Sequence, residues 1–323
     1  MPNGDFSQAQ AERIQFLADL AEAFYLDELT QMEVADRFQL ARPTVSRLLA
    51  EARQKGVIEF KINRAFQRDT TIAQRIVEAF GVGRVDVVVL PERKTEKPYQ
   101  AFGRFAAEVV HGLLAPQSVF GITLGRAVAA TVDGLSLLSP LPIKVVQLCG
   151  SVGADDPTLD AHAIVRKLAQ AYGCEGAHLF APFIVETAEV RDSLRKNPTN
   201  RNCLDLARKA DLALVGIGSV DTIHSALYRG GHVSEAEIRR LQQRGAIGDV
   251  GGFSIDAEGQ VVDEGGAFFI SGIALADFLR IGRRVATATG AQKAAQIAAA
   301  LRGRMVTHLI TDQATARALL EQG

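Results

Sequence analysis

One stretch, Leu29 to Ile62 (LTQMEVADRFQLARPTVSRLLAEARQKGVIEFKI), limits what this chain can fold into more than any other. Apolar residues recur there at helical spacing in two short blocks. Val34, Ala35 and Phe38 share one face of the first block, and Val45, Leu48, Leu49 and Ala52 one face of the second. Gln8 to Tyr25 reads as a further helix ahead of them, with Ile14, Leu17, Leu20, Ala21 and Phe24 on a single stripe. Thr30 is the expected N-cap of the second helix. Glu33, three residues on, completes the S/T-x-x-E pattern of a capping box. Gln39-Leu40-Ala41 is the turn. Arg42-Pro43 opens the third helix, where proline costs little because a first-turn N–H has no intrahelical partner. QKGVIEFKI then gives a turn at Gly56 and an alternating strand, Val57, Ile58, Phe60, Ile62, which reads as a wing.

Charge follows the same division. Met1 to Asp36 holds eight acidic residues and one arginine, whereas Arg37 to Lys61 holds six basic residues and two acidic ones. The whole chain carries a formal net charge of -1, so any nucleic-acid contact must come from a local patch. A recognition helix enters the major groove with its N-terminal residues toward the base edges, while hydroxyls and basic side chains reach phosphates. The residues expected at double-stranded DNA are therefore Thr30, Gln31, Arg42, Pro43, Thr44, Ser46, Arg47, Arg53 and Lys55. With no tryptophan and 6% aromatic residues, stacking on bases is not the expected mode.

The length of 323 residues suits about two domains. The expected division is 1–62 for the helix-turn-helix head, 63–69 (NRAFQRD) for a polar linker, and 70–323 for an effector-binding and oligomerisation domain. In that last part short apolar runs alternate with helical ones. The strands expected are Arg84–Leu90, Ser118–Ile122, Lys144–Cys149, Asp211–Gly216, Arg284–Thr289 and Thr307–Thr311. The helices expected are Thr70–Phe80, Tyr99–Leu114, Thr158–Tyr172, Ala291–Leu301 and Asp312–Glu321. This alternation implies an α/β domain with a mainly parallel sheet and helices on both faces. Three scattered cysteines without a CxxC support neither a disulfide framework nor a zinc knuckle. Six histidines lack HxxxH or HExxH spacing, so no metal and no cofactor are expected. No apolar run reaches the roughly 18–20 residues of a membrane span, and the N-terminus has no signal-peptide pattern. A cytoplasmic protein without membrane partners is the expectation.

In such α/β folds a ligand lies beyond the carboxyl ends of the strands. Thr123-Leu124-Gly125-Arg126 follows one strand, Cys149-Gly150-Ser151 another, and Gly216 to Ser219 a third. Gly245 to Gly252, with Asp249, and Gly290 to Lys293 complete the set. Backbone N–H groups at helix starts hold anions, Arg126 adds a fork of donors, and Asp249 can accept hydroxyl protons. His162, just after Asp160 at a helix start, is a candidate pocket residue or a surface histidine.

LTQMEVADRFQLARPTVSRLLAEARQKGVIEFKI resembles the head of the SorC/DeoR-type sugar-responsive bacterial transcriptional regulators, whose pattern is close to LTQ-EIA-RLG-SRPTVSRLL-EAR--GIV-I-I. FGITLGRAV, VVQLCGSVG, LALVGIGS, GAIGDVGGFSIDAEGQVVD and VATATGAQKAAQIAAALRGRMVTHLITDQATARALL resemble that family's sugar-binding domain, so the likeness covers nearly the whole chain. It implies a fold akin to ribose-5-phosphate isomerase and glucosamine-6-phosphate deaminase. It also implies a homo-oligomer, dimer or tetramer, on an operator, controlled by a small sugar, polyol or sugar phosphate. The effector residues it implies are Gly121, Thr123, Leu124, Gly125 and Arg126 in the first loop, and Cys149 and Gly150 in the second. Asp160, His162, Gly216, Asp249, Phe253 and Lys293 complete that set. Three departures stand out: Ala41 where serine is usual, Ala127 where serine or threonine is common, and Cys149 where members use asparagine or arginine. The last favours a neutral polyol or monophosphate over a doubly phosphorylated ligand. The rival reading is a sugar-phosphate isomerase or deaminase with an accessory N-terminal domain, using Asp249 with Lys293 or His162 as base and acid.

Overall fold

The computed structural model describes residues 5–58, 65–90, 98–153, 160–262 and 269–323. The chain divides into two units, Met1–Ala65 and Phe66–Gly323.

The first unit packs α1 (Asp5–Tyr25), α2 (Gln31–Arg37) and α3 (Arg42–Gln54) around Leu17, Leu20, Val34, Val45, Leu48 and Leu49. Phe16 meets Phe38 edge-on at 5.8 Å. Ile14, expected on the buried stripe, is 44% exposed, so the stripe begins at Leu17. The capping box at α2 forms as its spacing predicts. Glu33 N donates to Thr30 Oγ1 at 3.3 Å, and Thr30 N donates to Glu33 Oε2 at 2.8 Å. At the other end of α2, Gln39 turns left-handed with φ 55°. Gln39 N then bonds Asp36 O (3.2 Å) and Leu40 N bonds Ala35 O (2.8 Å), the two bonds of a Schellman ending. Ala41, at the N-cap of α3, supplies no side-chain cap. Most of the expected wing, including Phe60 and Ile62, lies outside the described residues, as do Asn63 and Arg64.

In the second unit the helices are α4 (Thr70–Phe80), α5 (Pro98–Leu113), α6 (Arg126–Leu135), α7 (Ala161–Tyr172), α8 (Ala188–Lys196) and α9 (Pro198–Ala207). There follow α10 (Ala226–Arg229), α11 (Glu235–Gln243), α12 (Leu275–Arg280), α13 (Ala294–Arg302) and α14 (Gln313–Leu320). The strands are β1 (Arg84–Val88), β2 (Val119–Ile122), β3 (Lys144–Gln147), β4 (Gly176–Ala177), β5 (Ile184–Val185) and β6 (Leu212–Ser219). After these come β7 (Gly248–Val250), β8 (Phe253–Ile255), β9 (Phe269–Ile270), β10 (Arg283–Thr287) and β11 (His308–Asp312). Seven strands pair in parallel in the order β1-β11-β10-β6-β2-β3-β4. The antiparallel β7–β8 hairpin extends the long strand β6, and β5 pairs with β9.

Both faces of the sheet are covered, which is why its strands read as continuous apolar runs. Alternate residues feed opposite cores. Ala213, Val215 and Ile217 of β6 join α4, α9, α13 and α14 on one side. Leu212 and Leu214 join α5, α6 and α7 on the other. Phe102, Phe105 and Phe120 are wholly buried there, and each such ring contributes about 1.5–3 kcal/mol. Buried Arg284 donates to the carbonyls of Met305, Leu279, Ile281 and Arg304 at 2.7–2.9 Å, tying the end of α12 to the end of α13.

The expected linker 63–69 is not a free hinge over its second half. Phe66 packs edge-on against Phe105 at 5.6 Å. Arg68 pairs with the buried Asp86 at 2.9 Å and bridges to Val88 on the outer edge of β1. An apolar residue and an arginine with a buried partner are enough to lay this segment on the sheet edge. The helix expected from Thr158 begins at Ala161, with Asp160 as its cap; Thr158 and Leu159 lie outside the described residues. Sequence reasoning left out α8 to α12, although α8 and α11 are amphipathic and α11 starts on a Ser234–Glu237 capping box.

Candidate functional site

The head presents one contiguous polar surface. Arg42, Pro43, Ser46, Arg47, Arg53 and Lys55 are exposed and Thr44 partly so. Several groups expected at DNA already have partners. Thr30 spends its hydroxyl on the capping box, and Lys55 lies 3.0 Å from Glu51. Arg13 and then Lys55 hold the Glu51 carboxyl down at about 2. Arg53 leans back to Leu49 O. Among the described residues no carboxylate pairs with Arg42 or Arg47. These two arginines, five residues apart in the first half of α3, are the open cations of the surface among the described residues.

In the second unit a cavity of about 150 Å³ opens at the carboxyl ends of the parallel strands. It is smaller than the roughly 300–1,000 Å³ of drug-sized pockets. Leu124, Gly125 and Arg126 reach it from the β2–α6 turn, Gly216, Gly218 and Ser219 from β6, and Asp249 from β7. Thr287, Thr289, Gln292 and Lys293 reach it from the β10–α13 connection. Neither Gly125, before α6, nor Gly290, before the 3₁₀ turn Ala291–Lys293, supplies a side-chain cap. Both helix starts at the cavity are therefore without a side-chain cap.

The cavity wall combines opposite charges with unpartnered polar groups. Asp249 lies over Gly218, where a Cβ would come within 1.9 Å of Asp249 Oδ1, so only glycine admits this carboxylate. Gly252 N donates to Asp249 Oδ2 at 3.2 Å. Lys293 Nζ donates to Ile217 O at 2.8 Å. Burial pushes the Asp249 carboxyl up and the Lys293 ammonium down, each opposed by the other's charge. The hydroxyls of Ser219 and Thr287 are buried without a partner in the cavity wall, and such groups want a hydrogen bond. Arg126, Arg229 and Lys293 face a single lining carboxylate, Asp249.

Six of the thirteen residues expected at the effector line this cavity: Leu124, Gly125, Arg126, Gly216, Asp249 and Lys293. The other seven do not. Gly121 is a packing glycine beside Leu148 in the sheet, and Gly150 packs against Pro182. Thr123 turns its hydroxyl to Leu214 O at 3.3 Å. Cys149 is buried, with its thiol pushed up to about 12 by that burial. Asp160 caps α7 through Ala163 N at 3.2 Å. His162 stacks on His178 at 4.1 Å, and Phe253 packs on Phe278 at 5.5 Å. Thr123 and Cys149 follow strand ends but turn their side chains into the packing, whereas Asp160 and His162 belong to the start of α7. Ser219 and Gln292, inside the expected loops Gly216–Ser219 and Gly290–Lys293, line the cavity too, whereas sequence reasoning missed Tyr99, His224, Ser225, Arg229, Thr287 and Thr289. For Thr289, next to the expected Gly290–Lys293 loop, the signal was adjacency. For His224 and Arg229 the sequence holds none. Among the described residues no group of three or more His, Cys, Asp or Glu could hold a metal ion, and no helix is long and apolar enough to cross a membrane.

Residues 64–321 match the family model described as "Putative sugar-binding domain". The transcriptional regulator LsrR of Enterobacter sp. (strain 638) is 32% identical over 309 residues, covering 95% of this chain and 93% of that protein. The deoxyribonucleoside regulator of Bacillus subtilis (strain 168) is 25% identical over 309 residues, covering 96% and 98%. The crystal structure of the full-length sorbitol operon regulator SorC from Klebsiella pneumoniae superposes with a TM-score of 0.69. At 24% identity over 96% of this chain and 99% of that one, it speaks for the fold. Of the acid–base candidates of the enzyme reading, Asp249 and Lys293 line the cavity and His162 does not. The relatives named here are regulators, not enzymes. The chain belongs to the SorC/DeoR-type sugar-binding family of bacterial transcriptional regulators.

Proposed function

We propose that this protein binds an operator through the start of α3 and that a small phosphorylated sugar in the 150 Å³ cavity sets the affinity. The observation that carries the reading is the cavity wall: three cations to one carboxylate, two uncapped helix starts and two unpartnered buried hydroxyls. A phosphate suits Arg126 and the N-terminus of α6. Sugar hydroxyls suit Asp249, Ser219 and Thr287. The excess of cations favours a sugar monophosphate over a neutral polyol. The head supplies the major-groove element, with Arg42 and Arg47 as its free donors.

The site at the strand ends also supports kinship of this domain with the ribose-5-phosphate isomerase and glucosamine-6-phosphate deaminase fold. A cytoplasmic homo-oligomer, dimer or tetramer, belongs to the same reading, because one head offers too few phosphate contacts for tight specific binding. A ligand changes operator affinity only through a difference in its own affinity for the two DNA-binding states. The test is fluorescence anisotropy of the full chain on labelled DNA from upstream of its own gene, at fixed salt, with a panel of sugars, polyols and their monophosphates. The expected result is salt-dependent binding shifted at least fivefold by one monophosphate. Binding that no member of the panel shifts, or a shift by neutral polyols alone, overturns the phosphorylated-effector reading.

A further inference from the structure

We propose that the first turn of α14 couples the cavity to the segment Phe66–Asp69, so that rearrangement of the cavity loop loosens or tightens the strap that follows the head in the chain. The inference rests on the reading of that cavity as the effector site.

The connection is a continuous set of hydrogen bonds. Thr289 lines the cavity, and its hydroxyl donates to Asp312 Oδ2. Asp312 is the N-cap of α14: its Oδ1 accepts from Thr315 N at 3.0 Å and its Oδ2 from the Thr315 hydroxyl at 2.6 Å. Gly290, next to Thr289, donates its N–H to the Thr315 oxygen at 2.7 Å. Two consecutive residues of the cavity loop are thus held by one helix start. The adjoining residue, Gln313, extends the other way and donates from Nε2 to Asp69 Oδ2 at 2.7 Å. Asp69 caps α4 through Ile72 N at 3.0 Å. Its own N–H bonds Val87 O at 2.9 Å, and Val89 N bonds Gln67 O at 2.9 Å. The strap is therefore bridged to the edge of β1 and pinned by Arg68 on Asp86.

The register closes the path. Arg68 faces Val88 and Val88 faces Asp312. Strap and cavity loop are thus separated by little more than the ~4.8 Å spacing of neighbouring strands, taken two or three times. The centre of the path is dry: Asp312 is 7% exposed and Thr315 0%. Hydrogen bonds to a carboxylate are stronger than neutral ones, and a buried polar group left unpaired costs more than an exposed one. A ligand that draws the Thr289 hydroxyl into the cavity removes a donor from Asp312. The cap turn must then readjust, and Gln313, one residue on, moves with it. Asp69 at the far end holds both the start of α4 and the edge of the strap, so it converts a small shift into fewer or more strap bonds.

Peptide-resolved hydrogen exchange on the full chain, without DNA or small molecule, tests this. Thr289→Val removes the donor at the cavity end, and Gln313→Ala removes a half-buried link that the core does not need. Both are expected to raise exchange at the Asp69 and Val89 amides at least tenfold. Gln313→Ala is also expected to raise it at Gly290, since coupling is reciprocal. The amides of β6 should stay protected. Ser219→Ala, which deletes another cavity hydroxyl outside the path, should leave the strap unchanged. Strap exchange within twofold of wild type in both Thr289→Val and Gln313→Ala overturns the proposal, as does an equal rise in Ser219→Ala. Failure here breaks the coupling alone, whereas failure to bind operator DNA breaks the regulatory reading alone.

Discussion

Arg42 and Arg47 on the head, and Lys293 at the cavity, are basic residues kept in opposite circumstances. The head pair is exposed, lies within six residues of sequence and has no carboxylate partner among the described residues. Lys293 is half-buried, with Asp249 beside it and its ammonium on Ile217 O, partners that come from strands far away in the chain. An exposed cation remains solvated without a partner, so its availability is decided locally. A buried cation carries a desolvation cost that only a specific constellation offsets. The first kind of site is therefore a property of a short peptide, and the second a property of the fold.

The strongest test of that contrast separates the two sites by substitution. Arg42→Ala with Arg47→Ala should remove operator binding. Each lost contact is worth roughly 1–3 kcal/mol, and sugar-phosphate binding, read by thermal shift, should not change. Lys55→Ala should cost less, because Glu51 already engages that ammonium. If Lys55→Ala weakened operator binding more than Arg47→Ala, the assignment of the open cations on α3 would fail.

How much was legible follows from the same contrast. The capping box at Thr30, the Pro43 helix start and the buried face Val45, Leu48, Leu49 and Ala52 all rest on contacts within a few residues. Their sequence signals were accordingly complete. The parallel strands were legible because both their faces are buried. The cavity was legible only as a set of strand ends. Whether Thr123 or Thr287 turns its hydroxyl inward depends on strand alternation and on where each strand stops, and a shift of one residue reverses the answer. Arg229 and His224 come from a segment whose path is fixed by tertiary packing, so no local pattern could announce them.

A second, smaller test acts on the cavity alone. Lys293→Met removes a charged donor while keeping most of the side-chain volume. It should cost about 1.5–3 kcal/mol of sugar-phosphate binding, roughly ten- to hundredfold, with basal operator affinity unchanged. It also leaves Asp249 without the charge that opposes its burial, so that carboxyl should titrate higher still. Basal operator binding lost along with ligand binding would mean that the two regions are not separable in this way.

The smallest effects lie in the head, where the two ends of its turn depart from what a helix end prefers. Ala41 gives α3 no side-chain cap, and serine there should add about 1 kcal/mol. Gln39 sits at φ 55° in the Schellman ending of α2, a conformation costing a residue with a Cβ about 1–2 kcal/mol. Glycine relieves that cost but frees the unfolded chain by about 0.5–1 kcal/mol. Gln39→Gly should therefore stabilise the head by only about 0.5 kcal/mol, less than Ala41→Ser. Native-state hydrogen exchange at the Leu48 and Leu49 amides reads both changes, and the strands of the second unit serve as the unchanged reference. A destabilised head in Gln39→Gly would show that the glutamine side chain makes up for its backbone, and that this turn is fixed by tertiary contact rather than by local geometry.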